Sequence, residues 1–323
     1  MAAVIYTSQD ILNIDVQKYN ASLTRIYQEQ GGRLIQFCRT DVAEGNGRAF
    51  YFDAILPSNR PKKNIPDKGP TPDTPVGFQR TILIPIPYLD GHLFSEQEFA
   101  RIAADPKPLV VENDVRAMMR QVDEDIMASA IGTAYRGEAG TSTVGFPATN
   151  IVPCTTGFGT TANTAGNANP GQLLLAGQIL DEMHVPDGPE YRHAIVHPSW
   201  VRGMLQAEVV GSFLYNSLRP LEEGQIAHYA GFSIMKHPLI PWGTSAGVAT
   251  GSATDGFALN LIWGHLNMGF HWLMPVTSRA AVSPTENFNI RTSIKSDYGA
   301  CRIMDQGVLV MPSARTDLSI NQI

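Results

Sequence analysis

With 323 residues, 43% of them hydrophobic and 17% charged, the chain can build a large core as one elaborate domain or two interleaved ones, and disorder is excluded. A formal charge of −6 excludes a protein whose main task is coating phosphate backbones, because that task leaves a strongly basic balance. Cys38, Cys154 and Cys301 have neither metal-ligand nor CxxC spacing, so disulfides and structural zinc are not expected and the thiols suit a reducing compartment.

No apolar run approaches the ~20 residues of a membrane span. Residues 1–10 lack the basic and hydrophobic regions of a signal peptide, so the protein is expected to stay in the cytoplasm where it is made. Over residues 10–30, Leu12, Val16, Tyr19, Leu23 and Ile26 alternate steps of four and three, which is one face of a helix, and Gly31-Gly32 supplies a stop.

Residues 48–56 and 78–88 read as strands. Between them, residues 57–75 hold six prolines and six charged side chains in nineteen positions, a composition that cannot bury a core. The expectation is a stiff, exposed arm on a two-stranded stalk, stabilised by another copy of the chain. Pro57, Lys62, Lys63, Lys68 and Pro72 are the candidate assembly contacts. The lysines serve either as solubilising charges or as partners for acidic patches on a neighbour.

A long helix is expected from Asp105 as N-cap, with Pro106 in its first position, to about residue 136, with Gly137 as terminator. At about 1.5 Å per residue it spans roughly 45 Å. Val111, Val115, Met118, Val122 and Ile126 share one face, and Glu112, Arg116, Arg120 and Glu124 lie along another. It reads as a spine against which other elements pack, although the same pattern suits a core helix of an ordinary enzyme.

Residues 140–171 read as loops, with a short strand at 150–154. Asn169-Pro170 opens a helix carrying Leu173, Ile179 and Leu180, a strand follows over 191–197, and Pro198 opens another helix through Trp200 and Met204. Strands are expected at 232–235 and 257–263, around an exposed loop at 243–256. Strands at 288–294, 298–304 and 307–311 complete a terminal sheet. The whole reads as α+β.

Catalytic signals are weak. Residues 243–247 match G-x-S-x-G around Ser245, but Pro238 and Pro241 interrupt what precedes and no helical period follows, so a nucleophile elbow lacks its strand-turn-helix context. Gly157-x-Gly159 fails as a dinucleotide fingerprint because Ala stands at position 162. His193 and His197 lie in a predicted strand, where residues four apart are roughly 13 Å distant, so packing or surface roles are expected. Asp123, Glu124 and Asp125 are read as a solvated or intersubunit face of the spine helix. No catalytic, cofactor or metal site is assigned.

The order of helix, long two-stranded loop, spine helix, mixed α+β region and terminal strands resembles a major capsid protein of tailed bacteriophages, the HK97-type fold. Tyr27-Gln28-Glu29-Gln30-Gly31-Gly32-Arg33-Leu34, residues 126–140, and the closing segment 288–311 around Asp297-Tyr298-Gly299 are similar to stretches of that group. The resemblance implies an N-arm over 1–38, an extended loop over 39–91, and a peripheral domain with the spine helix over 92–139. An axial domain over 140–270 and peripheral strands over 271–323 follow.

It further implies no enzyme and no cofactor. The chain assembles with itself, through pentamers and hexamers in which each loop lies over a neighbour, into an icosahedral shell enclosing dsDNA without sequence-specific binding. A scaffolding protein, a portal and a decoration protein are the implied partners, and the virion is the destination after assembly in the host bacterial cytoplasm. An encapsulin-like nanocompartment shell is the alternative, and an α/β hydrolase using Ser245 a remote one. Some members of the fold cross-link a loop lysine to a neighbour's asparagine through a glutamate in an apolar site. Here Glu286, beside Asn287 and near Asn289, lies in a polar segment without the desolvation that would raise its pKa, so no cross-link is expected.

Overall fold

The computed structural model describes residues 31–40, 47–56, 75–94, 107–158, 163, 166–206, 228–247, 256–283, 285 and 289–314. The expected helix over 10–30 lies outside them, as do residues 57–74 of the arm, with Pro57, Lys62, Lys63, Lys68 and Pro72.

Three sheets share the core. The first joins β1 (Phe50–Ile55), β2 (Phe78–Leu83), β4 (Ala134–Arg136) and β5 (Ser142–Val144) in that order. β1 and β2 pair antiparallel from Phe50↔Leu83 to Ile55↔Phe78, which is the expected two-stranded stalk. The second strand of the loop, expected over 78–88, is however two strands in two sheets. After β2 the chain turns at Ile84-Pro85, and β3 (Ile86–Phe94) pairs with β12 (Ile290–Arg302). Pro85 has no N–H to continue the first ladder, so the strand changes partner there.

The second sheet is β11-β12-β3, with β11 spanning Met268–Val282. Sequence reading missed β11 and split β12 into two strands, 288–294 and 298–304. Asp297 and Tyr298 are ladder residues of β12, opposite Pro87 and Ile86. Pro275 falls within the shifted register of β11 between Met274 and Thr277, a bulge that absorbs the missing donor.

The third and central sheet runs β13-β10-β6-β8-β7, with β9 (Trp242–Gly243) on β10. Its strands are β13 (Val308–Ala314), β10 (Phe257–Gly264), β6 (Arg192–Val196), β8 (Phe232–Lys236) and β7 (His228–Tyr229). β6 and β8 are parallel and the other pairs antiparallel. The terminal strands therefore do not form one sheet: β12 and β13 belong to different ones. Ala230 and Gly231, both at positive φ (49° and 81°), make the two-residue β7–β8 hairpin turn.

The strands β6, β10 and β13 are buried along nearly their whole length because both faces are covered. Ala194, Val196, Ile262, Leu309 and Met311 pack beneath helices α2 (Pro170–Glu182) and α3 (Pro198–Gln206), against Leu173, Leu180, Trp200 and Met204. Ile195, Leu261, Trp263, Val308 and Val310 face the other way, onto Val122, Ile126, Met127 and Ala130 of the spine helix α1 (Lys107–Ile131). α2 starts as expected: Asn169 caps it by accepting the Gly171 N–H at 2.9 Å, with Pro170 at the first position.

The expected N-cap Asp105 and first residue Pro106 of the spine helix lie outside the described residues. The helix ends earlier than expected, at Ile131, because residues 134–136 are drawn into a sheet through Ala134↔Val144 and Thr81↔Arg136. Gly137 therefore ends a strand, with its N–H donated to the Arg80 carbonyl at 3.0 Å. The expected strand over 150–154 is replaced by a 3-10 turn, Ala148–Asn150, and a single bridge from Ile151 to Val310. Cys38, Cys154 and Cys301 are free and buried, and burial pushes the Cys301 thiol up to about 12. Among the described residues no helix is long and apolar enough to cross a membrane.

Candidate functional site

The spine helix is the hub of the molecule, and two of the three adjacent carboxylates expected on a solvated or intersubunit face, Asp123 and Asp125, turn to interior partners instead. Asp123 is 0% exposed. It accepts the backbone N–H groups of Arg33 (3.3 Å) and Leu34 (3.1 Å), and its Oδ2 lies 3.3 Å from Nε2 of the equally buried His237. The segment entering from the N-terminal side is thereby tied to the helix. Gly31 enables the approach, since a Cβ there would collide with the backbone of Met119 and Arg120. Sequence reading missed this role, although one signal was present: Asp123 sits between Met119 and Met127 in an i±4 stripe of otherwise apolar residues.

Asp125 ties the same helix to the second sheet. Its Oδ2 accepts the hydroxyls of Tyr88 on β3 (2.8 Å) and Tyr298 on β12 (2.7 Å), and Oδ1 accepts Gln121 Nε2 at 3.0 Å. The two tyrosine rings stack with centroids 4.9 Å apart. Burial, and then the Asp125 carboxylate, push the Tyr88 phenol up to about 12 and raise that of Tyr298 further. Glu124 alone of the three carboxylates is exposed.

Arg302, fully buried on β12, gathers the C-terminal end of the helix. It donates to the carbonyls of Ala130 (2.8 Å), Gly132 (2.7 Å), Val144 (3.2 Å) and Gly145 (3.1 Å), and to Asp305 Oδ1 at 2.8 Å. Two of these carbonyls belong to the helix terminus, where orphan acceptors and the dipole favour a cation. Nothing in the sequence around Arg302 distinguished it from a solvent-facing strand residue.

The stalk and its continuation are unlike the rest of the surface. Of fourteen exposed large hydrophobic side chains among the described residues, nine fall between Tyr51 and Leu93, and they include Phe78 (74% exposed), Leu89 (70%) and Ile55 (67%). So much exposed apolar side chain on and around β1, β2 and β3, on both sides of the arm, sets this stretch apart from the rest of the described surface.

Residues 11–310 match the family described as phage capsid protein. The chain belongs to the phage capsid protein family. Its fold is similar to the capsid of cyanophage P-SCSP1u (TM-score 0.70, 11% identity, 96% of each chain covered). It is similar also to the capsid of Ralstonia phage GP4 (TM-score 0.69, 12% identity, 99% of this chain and 100% of that one). The cyanophage Pam1 capsid matches with a TM-score of 0.67 at 14% identity, over 98% of this chain and 100% of that one. No curated protein sequence matches the chain. The expected fold, an α+β capsid architecture of the HK97 type, is the one observed.

The remaining residues singled out from sequence have structural settings in this capsid protein. His193 is buried on β6 with its ring stacked on Phe37 (centroids 4.3 Å) and His265 at 6.2 Å. Both its ring nitrogens lack a hydrogen-bond partner, and burial brings its pKa down to about 4. His197 lies at the entry to α3, with Nδ1 2.7 Å from Ser199 Oγ and accepting the Ser199 N–H at 3.2 Å. Ser245 is exposed in a turn after the two-residue strand β9, and among the described residues no hydrogen bond joins it to a histidine. Glu286 and Asn287 lie outside the described residues.

A cleft of about 720 Å³ opens where β1 meets the β10–β11 turn, between Ile55, Leu56, Tyr191 and Leu266. Gln79, Arg136, Glu182 and Asp305 also line it.

Proposed function

We infer that copies of this capsid protein assemble through pentamers and hexamers into an icosahedral phage head that encloses a dsDNA genome. The observation that carries this reading is the run of exposed apolar side chains on β1, β2 and β3, flanking a segment whose composition cannot fold on itself. Burying those side chains against a neighbouring copy would remove them from water at about 25 cal/mol per Å². The arm between the strands then lies over that neighbour, with Pro57, Lys62, Lys63, Lys68 and Pro72 as contacts.

In this reading residues 1–38 form an N-arm, 39–91 the extended loop and 92–139 the peripheral domain with the spine helix. Residues 140–270 form the axial domain and 271–323 the peripheral strands, with β13 returning to pair with β10. The net charge of −6 suits a container that encloses DNA without gripping it. A scaffolding protein and a portal would guide assembly in the host cytoplasm, and a decoration protein would bind outside. No enzymatic role is proposed. A nanocompartment shell is not favoured, since the family matched is one of phage capsid proteins.

Electron microscopy of the purified protein, expressed alone and with its scaffold, tests the reading. Closed shells of uniform diameter are expected. A monodisperse monomer under every assembly condition would overturn it.

A further inference from the structure

Three side chains of ligand chemistry meet where the edge strand β3 crosses the spine helix. Asp90 and His92, two apart on β3, share a face of the strand, and Asp114 meets them from α1. One ligand atom from each lies within 4.8 Å of the others. His92 Nε2 stands 3.1 Å from Asp114 Oδ1, and Asp90 Oδ1 accepts the Gly91 N–H at 2.8 Å.

The burial is uneven. Asp114 is only 6% exposed, and among the described residues its one ion-pair partner is His92. A buried carboxylate is costly unless it is fully compensated, and a second carboxylate close by adds repulsion. One imidazole cannot neutralise both, whereas a divalent cation held by all three groups does.

We propose that Asp90, His92 and Asp114 bind a divalent first-row transition-metal cation, Zn²⁺ or Mn²⁺, with water completing the coordination. Two ligand atoms each about 2.0–2.2 Å from one ion sit roughly 3–3.5 Å apart, and the His92–Asp114 separation of 3.1 Å fits that edge. The imidazole ligand selects against Mg²⁺ and Ca²⁺, which take oxygen sets. His92 binds as the neutral imidazole through Nε2, with its proton on Nδ1. The ion then rivets β3 to the spine helix. Because β3 follows β2 across Ile84-Pro85, it also braces the root of the projecting loop.

The test uses the full-length protein as capsomers or shells, stripped with EDTA and titrated with ZnCl2 and separately with MnCl2 in a calorimeter. One equivalent per subunit is expected from at least one of the two metals. Affinity should fall at least about tenfold in Asp114→Asn and in His92→Ala. It should be unchanged in Glu112→Gln, on the same helix but outside the cluster. Binding undiminished in both cluster variants, or no stoichiometric uptake of either metal by the wild type, overturns the proposal. If a variant fails to fold, the wild type loaded with Co²⁺ decides. Intense visible bands of a low-coordinate site support the assignment, and the spectrum of the hexa-aqua ion refutes it. Uptake is read whether or not subunits assemble, so its failure is separate from any failure of shell formation.

Discussion

Replacing Arg302 by Met should destabilise the subunit by about 4 kcal/mol or more. The guanidinium satisfies four carbonyls, those of Ala130, Gly132, Val144 and Gly145, in a region where its own side chain is fully buried. Each buried acceptor left unsatisfied costs about 1–3 kcal/mol, and helix-terminal carbonyls lose the favourable cation besides. Asp305 keeps a partner, since Arg136 lies 2.8 Å from its other oxygen, so that carboxylate adds little to the loss. Arg302→Lys should recover only part of the stability, because one ammonium cannot span acceptors that the planar fork reaches together. Arg80→Ala is the contrast: it breaks an ion pair with Asp53 whose two side chains are 43% and 57% exposed, and should cost under about 1 kcal/mol. Urea unfolding of soluble subunits or capsomers is the assay, since shell assembly adds stabilisation of its own. Arg302→Met within about 1 kcal/mol of wild type would show that water replaces the guanidinium and that the seam is not sealed.

Val122→Asp, at a fully buried position of α1, should cost several kcal/mol, whereas the exposed Glu124→Gln should cost under about 1; equal effects in the same denaturation assay would mean that the helix faces are misassigned. Replacing residues 57–75 by a short turn should leave circular dichroism and cooperative melting intact while abolishing shells in the electron microscope, and loss of the melt would place that segment in the core. Burial lowers the folded-state pKa of His193 from 6.5 to about 4, so the unfolded chain binds more protons between those values. Its contribution is therefore full above pH 6.5 and lost as pH falls toward 4, by up to about 3 kcal/mol. His193→Phe should flatten stability over that window, and an unchanged slope would contradict the assignment. Mature particles boiled in detergent and reductant should run as one band at the subunit mass, and a ladder of multimers would reveal cross-links.

What could be read from sequence follows from how each element is held. α2 carries its start signal locally, in Asn169-Pro170, and the two-faced burial of the central sheet leaves short, mostly apolar runs at β6, β10 and β13 that need no partner to be recognised. The misses arise where pairing across the chain decides. Ala134-Tyr135-Arg136 continues a helical text yet becomes β4 because β2 and β5 offer ladder partners. β11 contains Pro275 and an exposed outer half, so neither apolar continuity nor clean alternation announced it, and its pairing along the long neighbour β12 is what makes it a strand. The polar seam was illegible for a similar reason. Asp125 looked like its neighbour Glu124 until tyrosines from β3 and β12, 37 and 173 residues away, placed their hydroxyls on it.

Those seams bear on how such a subunit serves a shell. Apolar packing between a helix and two sheets fixes distance but tolerates sliding, whereas hydrogen bonds to named acceptors fix register. Asp123 sets the incoming chain, Asp125 sets β3 and β12, and Arg302 of β12 sets the helix end, so the incoming chain, β3 and β12 are each clamped to α1 at defined points. A body clamped in this way transmits strain as a unit. In the shell proposed above, a copy in a ring of five and one in a ring of six would then differ chiefly in the parts outside the clamps. Among the described residues the stalk β1–β2 meets the body through β4, through Gln79 and Thr81 bonding to the Ile303 carbonyl (2.8 and 3.1 Å), through Phe52 and Leu83 packed by Cys301 and Ile303, and through Phe50 against His271 with ring centroids 4.1 Å apart. It is tethered along one face, while the other, exposed face carries Tyr51, Ile55 and Phe78 beside the Arg80–Asp53 ion pair, so that its root is fixed while its surface stays open to a neighbour.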